Sequence, residues 1–337
     1  MKRKKRLLFV GPCKFFFRSF MQWDLEMLRS EFDVRLVNAC FNIHDIRGTL
    51  ATPYSLMRGI AWADAVFCWF AGREAFWAVG LSQFYHKKTV VVVGGADVTA
   101  IREIGYGATL DRAKRAYSTF VLNKATELLP FSIDAEQRAL AFVDNVAKVK
   151  LIYLGIDAQR FRPAGTKKNQ ALTVGIVNRT NVKRKGLETF VRSAAYLPDT
   201  EFIMVGKFAD DAIADLRSIA SNNVRFVGAL PESRLIRYYQ SSKVYVQASA
   251  HEAFGVSLAE GMACECVPVV TNTGAIPEVV ADTGIYVPYG EPAATAEGIK
   301  TALESDKGRI ARKRIEARFS VVQRRAALVK AVGDLLD

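Results

Sequence analysis

Two glutamates, Glu252 and Glu260, stand in the stretch HEAFGVSLAEG at residues 251–261. Phe254–Ser257 between them reads as a helix start, so one carboxylate precedes the helix and the other lies about one turn inside it. The first amides of such a helix, at Gly255, Val256 and Ser257, lack intrahelical acceptors and suit an anion. Gly255 allows a ligand close to the backbone. Glu260 then reaches past the anion toward the hydroxyls of an attached sugar or ribose. The pair can thus bracket one charged, hydroxyl-rich ligand. The alternative is a helix whose acidic residues only complement its dipole.

A second stretch carries the opposite charge. NRTNVKRKG follows the apolar run ALTVGIV and crowds Arg179, Lys183, Arg184 and Lys185 into one loop. Arginine grips a phosphate bidentately and lysine acts as a point charge, so together they could neutralise a diphosphate. The alternative is a solvated basic loop. A third stretch, VVVVGGADVTAIREIGYG, places Asp97 just after Gly94 and Gly95 at the end of a strand-like run. Asp97 is a candidate for ligand contact, or else a turn or N-cap residue.

These stretches need elements to hold them. RLLFV, VRLVN, AVFCWF, TVVVV and KLIYL read as buried strands, separated by helical patterns such as SFMQWDLEMLRSEF, SLMRGIAWA, REAFWAVGLSQFYH and DRAKRAYSTFVLNKA. GIDAQRFRPAGTKKNQ reads as a linker, after which the pattern restarts. ALTVGIV, EFIMVG, VRFVG, KVYVQAS, VPVV and GIYVP are strands, with helices over GLETFVRSAAYL, DDAIADLRSIA, SRLIRYYQS, GVSLAEGMA and AATAEGIKTALE. Alternation of this kind signals parallel sheets covered on both faces. The expected fold is α/β, with two facing Rossmann-like, doubly wound domains over 1–155 and 156–305. A basic helical tail over 306–337 is expected to pack back on the first. Ligands in such sheets bind beyond the carboxyl ends of the strands, where all three stretches lie.

Composition agrees with this frame. The chain has 337 residues, half of them hydrophobic, and a formal net charge of +13. That length suggests two domains of about 150 residues. The charge favours nucleic acid, anionic lipid or a phosphate-bearing substrate. Five cysteines without a CxxC pair, and three histidines without metal spacing, speak against a disulfide scaffold or a zinc site. No apolar run reaches the ~18 residues of a membrane span. The run after KRKKR (2–6) is broken by Gly11, Pro12 and Lys14, so a cytoplasmic protein is expected.

EAFGVSLAE followed by GMACECVPVV resembles the retaining, GT-B-fold glycosyltransferases of the group-1 (GT4) family, whose hallmark is two glutamates separated by seven residues before a helix and a Pro-Val-Val strand. The basic loop ending in Lys185-Gly186 is similar to the family's diphosphate clamp. LGIDAQRFRP and TGAIPEVV resemble further family segments. The resemblance is strong over 150–290 and weak before it.

The resemblance implies a metal-independent hexosyltransferase that uses a UDP- or GDP-sugar as donor substrate, with no cofactor. Glu252 would orient the donor sugar, Glu260 would bond the ribose, and amides at Gly255 and Val256 would meet the sugar or diphosphate. Arg179 and Lys185, with Arg184 as sharer or substitute, would stabilise the leaving diphosphate. Loops around Lys207 and Ala229–Leu230 would hold the base. Asp97 would contact the acceptor or assist as base. Gly11 would stand in for a Gly-Gly pair that GPCKFFFRS lacks. The Arg179-to-Lys185 spacing is one residue longer than the common pattern, and no histidine matches the one many members place near the reaction centre. The implied acceptor is a glycan or lipid-linked molecule. Residues 2–6 and Phe15–Phe17 suggest peripheral docking at the inner face of an anionic membrane, with core or cleft lining as the alternative for the phenylalanines.

Four other readings compete. An NAD-dependent enzyme would need GxGxxG between strand and helix, which VGPCKFFFRS, VGGADVTA and IVNRTNVKRKG lack. A nucleotide-sugar epimerase of the same fold keeps a similar donor site. A non-catalytic nucleotide-sugar binder is the third. A nucleic-acid binder rests on charge alone, without a recognition motif.

Overall fold

Runs rich in valine, leucine and phenylalanine form the strands, because their branched or planar side chains pack well on a pleat covered on both faces. The computed structural model describes residues 3–12, 19–41 and 46–337. They fall into two compact units, Met1–Gly155 with Val322–Asp337, and Ile156–Val321.

The first unit holds β1 (Arg6–Pro12), β2 (Asp33–Ala39), β3 (Ala65–Trp69), β4 (Lys88–Val93) and β5 (Glu127–Pro130). They pair in parallel in the order β2-β1-β3-β4-β5. Alternate residues face opposite ways. Leu8, Val10, Val66, Cys68, Val91 and Val93 pack under the helices Ile46–Trp62, Arg73–Phe84 and Arg112–Lys124. Trp69 points the other way, with Phe20 of helix Ser19–Glu31 at 5.1 Å between ring centroids and the Arg324 guanidinium 5.7 Å from its ring. Arg324 lies on helix Val321–Leu336 and pairs with Asp24 through Nε (2.9 Å) and Nη2 (2.6 Å). Its Nη1 donates to the Ile152 carbonyl at 2.7 Å. A doubly wound sheet results.

The second unit holds β6 (Lys168–Val174), β7 (Glu201–Val205), β8 (Val224–Gly228), β9 (Ser242–Gln247), β10 (Val267–Val270) and β11 (Ile285–Tyr286). Their order is β11-β10-β9-β6-β7-β8, all parallel. The direction of winding reverses between β6 and β9, and a reversal of this kind opens a crevice beyond the strand ends.

Some sequence expectations need correction. KLIYL is not a ladder strand; it runs beside β5 through single bonds, Lys150 N–H to Leu128 O and Ile152 N–H to Pro130 O. The strand itself is ELLP, too short a run to stand out. The expected linker is packed: Phe161 and Ile156 are buried, and Asp157 Oδ1 accepts from the amides of Gln159 and Arg160 at 3.0 Å each. The segment from 306 forms two helices, Lys307–Arg318 in the second unit and Val321–Leu336, whose residues from Val322 onward belong to the first. Cys40 is disulfide-bonded, whereas Cys68, Cys264 and Cys266 are free. Lys2, Cys13, Phe15–Phe17 and His44 lie outside the described residues.

Candidate functional site

The reversal point of the second sheet is where charge gathers. Beyond β6, Asn178 caps a short helix, its Oδ1 accepting from the Asn181 amide at 2.8 Å. NRTNVKRKG is therefore helical over Arg179–Arg184 rather than a loop. Lys185 closes that helix and Gly186 follows at φ +60°. A Cβ on Gly186 would lie 1.9 Å from the Ala248 carbonyl oxygen, so only glycine lets this turn press against the end of β9. The Lys185 stem crosses Gly175, where a Cβ would meet its Cδ at 2.8 Å. The Ala250 amide donates to the Arg184 carbonyl at 2.8 Å and joins the two loops.

Beyond β9 the chain delivers Glu252, which is buried. Its Oε1 accepts from Lys185 Nζ at 2.8 Å, Arg184 Nη1 at 2.9 Å and Gln247 Nε2 at 3.0 Å. Its main-chain oxygen accepts from the Ala275 amide at 2.9 Å, which ties in the TGAIPEVV segment. Burial alone would raise the Glu252 pKa, but the Lys185 and Arg184 charges win and hold it at about 2. Burial pulls the Lys185 pKa down while Glu252 pulls it up.

Helix Val256–Ala263 starts next, with Gly255 left-handed at φ +85°. The amides of Gly255, Val256 and Ser257 form its first turn. Glu260, one turn in, is buried, and its Oε2 accepts from the Tyr239 hydroxyl at 2.9 Å. Burial pushes its pKa up to about 8, with Tyr239 opposing and Glu232 adding to the rise. The two glutamates therefore differ in charge at neutral pH, one ionised and one mostly neutral.

The structure brings together Glu252, Lys185 and Arg184. It does not bring Arg179 to them. Arg179 is exposed and bonded to Asp211 (Nη2 to Oδ2, 2.6 Å; Nε to Oδ1, 3.1 Å). Lys207 is exposed just past β7, and Leu230 is half-buried just past β8. Gln247 and Tyr239 escaped the sequence reading. The polar Gln247 at the end of the apolar strand KVYVQ was a usable signal; Tyr239, within an amphipathic helix, offered none.

Gly11 and Asp97 belong to the first unit. Gly11 is buried near the end of β1. Asp97 is buried beyond β4, with Oδ2 accepting from the amides of Ala71 (2.8 Å) and Gly94 (3.1 Å). Its Oδ1 has no hydrogen-bond partner among the described residues. Burial raises its pKa to about 6. It lines a cavity of about 510 Å³ with Arg73, Glu74, Asp111, Lys114 and Tyr117. Among the described residues no cluster of His, Cys, Asp or Glu could hold a metal, and no helix is long and apolar enough to cross a membrane.

Residues 157–318 match the family described as "Glycosyl transferases group 1". One subunit of the phosphatidylinositol N-acetylglucosaminyltransferase of Arabidopsis thaliana is 26% identical over 165 residues, 47% of this chain and 37% of that protein. The human protein of the same name is 26% identical over 175 residues, 50% of this chain and 36% of its own. The chain thus spans well under half the length of these curated relatives. The lipopolysaccharide core mannosyltransferase LpcC of Rhizobium leguminosarum bv. viciae is 25% identical over 257 residues, 68% of this chain and 70% of that one. Among solved structures, Anabaena Alr3699/HepE in complex with UDP and glucose superposes with a TM-score of 0.81 at 15% identity, over 98% of this chain and 100% of that one. Sucrose-phosphate synthase from Thermosynechococcus elongatus gives a TM-score of 0.80 at 17% identity, over 98% and 99%.

Proposed function

We infer, for a chain of GT-B fold that belongs through residues 157–318 to the group 1 glycosyltransferases, that it moves a hexose-type sugar from a nucleoside-diphosphate donor to a glycan or lipid-linked acceptor, with retention of anomeric configuration. The observation that carries this reading is the buried meeting of Arg184, Lys185 and Glu252 where the strand order reverses. A diphosphate entering there competes with Glu252 Oε1 for the same two cations. As negative charge grows on the departing phosphate, cations already in place stabilise it without reorganising. Glu252, released from them, is placed to accept from the sugar hydroxyls. Glu260 takes the ribose hydroxyls, and the amides at Gly255, Val256 and Ser257 take the anionic bridge. In this reading Arg184, rather than Arg179, is the clamp arginine. Lys207 and Leu230 flank the base.

The UDP held by the Anabaena neighbour favours a nucleoside-diphosphate donor. The relatives are named for mannosyl and N-acetylglucosaminyl transfer, which favours a hexose-type sugar. Asp97, with a free carboxylate oxygen and a pKa brought toward neutrality, suits acceptor contact or base assistance. Arg184 and Lys185 supply the charge a divalent ion would otherwise bring, so EDTA should leave transfer unchanged. Peripheral association with an anionic membrane face is part of the reading.

The test is thermal shift with UDP-, GDP- and ADP-sugars on the wild type, Glu260→Ala and Lys185→Ala. A ligand of the folded state raises apparent stability by mass action. The expected result is a shift with one nucleotide series that both variants lose. No shift with any donor overturns the reading.

A further inference from the structure

The helices Ile46–Trp62, Arg73–Phe84 and Arg112–Lys124 lie side by side on one face of the first sheet, the middle one packed against both neighbours. Their inward side chains, among them Leu56, Ile60, Val79 and Val121, join a single core with β1, β3 and β4. Side chains turned from that core form one outer layer.

Two properties set this layer apart. The first is large apolar side chains in water. Phe84 is 78% exposed, Tyr54 64%, Trp77 46% and Met57 43%. They are arranged by helical period: Tyr54, Met57 and Arg58 stand three and four residues apart, and Arg73, Trp77 and Phe84 follow one stripe three turns long. The second is charge of one sign. Residues 51–62, 73–84 and 112–124 carry Arg58, Arg73, Arg112, Lys114, Arg115 and Lys124 against one acid, Glu74. No ion pair engages any of these six among the described residues. The Arg58 guanidinium sits 5.6 Å from the Tyr54 ring, and Arg73 sits 5.3 Å from Phe41, whose ring stacks on Trp77 at 6.1 Å. Ordinary soluble helices mix both signs and expose few large apolar groups.

We propose that this three-helix layer docks on an anionic lipid bilayer, with Tyr54, Met57, Trp77 and Phe84 entering the interface and the cations meeting lipid phosphates. Aromatic rings with an apolar body, mixed with cations, are what an interfacial surface requires. A nucleic acid would neutralise the cations but leave Phe84, Tyr54 and Met57 in water. The inference rests on the membrane part of the proposed function and adds which surface makes the contact.

The test is co-sedimentation of the full chain with vesicles of phosphatidylcholine alone, and of phosphatidylcholine with phosphatidylglycerol in equal parts. Binding is expected to the mixed vesicles only, and to fall as salt rises. Reversing Arg58, Arg115 and Lys124 to Glu should weaken it about tenfold or more. Phe84→Ser with Tyr54→Ser should weaken it by about as much. The two variants alter different exposed side chains, so either decides the matter if the other fails to fold. Binding that neither variant changes overturns this surface and leaves the membrane reading standing. No binding to mixed vesicles overturns both. Capture of a single-stranded oligonucleotide in place of mixed vesicles also overturns it. No nucleotide sugar enters the assay, so none of these results bears on sugar transfer.

Discussion

Glu252 keeps its charge in a place where burial alone would remove it. The cost of desolvating it is offset by Arg184 and Lys185, both themselves largely buried. Glu252→Ala would leave two cations facing one another without an anion. Removing one partner of a buried pair costs about 3–5 kcal/mol. Chemical denaturation should show a loss of that order, and added UDP or inorganic pyrophosphate should restore part of it by supplying the missing charge. Glu260 behaves in the opposite sense. Its folded pKa is raised from 4.5 to about 8, so its contribution to stability is full below 4.5 and is lost as pH rises toward 8. Glu260→Gln should flatten the fall of melting temperature across that window. Glu252, depressed to about 2, contributes above 4.5 and loses that contribution as pH falls toward 2. Ribose hydroxyls donate best to a carboxylate, so nucleotide binding at pH 7 should drive a proton off Glu260, which otherwise faces Tyr239, Glu232 and Arg160. Calorimetry in two buffers of different ionisation heat would detect that release. Equal heats in both buffers would show that Glu260 does not change state. Glu252, Glu260 and Lys185 could be picked from the sequence as candidates because residue type and spacing carry them. Which arginine meets Glu252 was not legible, because it depends on Asp211, 32 residues from Arg179, capturing the Arg179 guanidinium.

At the scale of elements, the site depends on two left-handed glycines. Gly255 at φ +85° would pass to alanine at the cost of backbone strain alone, about 1–2 kcal/mol, since a Cβ there meets nothing closer than Leu258 Cβ at 3.4 Å. Gly186→Ala adds a collision with the Ala248 carbonyl, so the turn must back away from β9 and draw Lys185 off Glu252. Thermal melts should therefore rank Gly186→Ala well below Gly255→Ala. Nucleotide binding should survive Gly255→Ala better than Gly186→Ala. The alternation of strands and helices was readable because a buried parallel strand is a continuous apolar run, and that signal is strong in TVVVV or VPVV. It failed for ELLP, four residues long and begun by a glutamate, and for KLIYL, which has a strand's composition but a place that supplies only single bonds. The segment at 155–170 looked like a linker because its polar residues outnumber its apolar ones. Buried Phe161 and Ile156 anchor it, together with Lys167, whose Nζ donates to the Tyr239 and Ser242 carbonyls.

On the scale of the whole molecule, each unit has its own sheet and core, and the first is completed by residues far away in sequence. The Asp24–Arg324 pair is the firmest sign of this, with side chains 2% and 1% exposed. Arg324→Ala would strand Asp24 and leave the Ile152 carbonyl without its donor. A loss of about 3–5 kcal/mol is expected. Hydrogen exchange should quicken across β1 to β5 and stay unchanged across β6 to β11. A nucleotide-induced thermal shift should persist, because Glu252, Glu260 and Lys185 lie in the other unit. The split also sets a timetable for birth. Synthesis reaches every strand of the second unit before it reaches Val322, while the first unit still lacks a helix. Domains usually mature in the order in which they leave the ribosome. Here the later one can close first, and a nascent chain arrested short of Val322 leaves open, for chaperones to meet, the part of the Trp69 face that Arg324 and its helix cover.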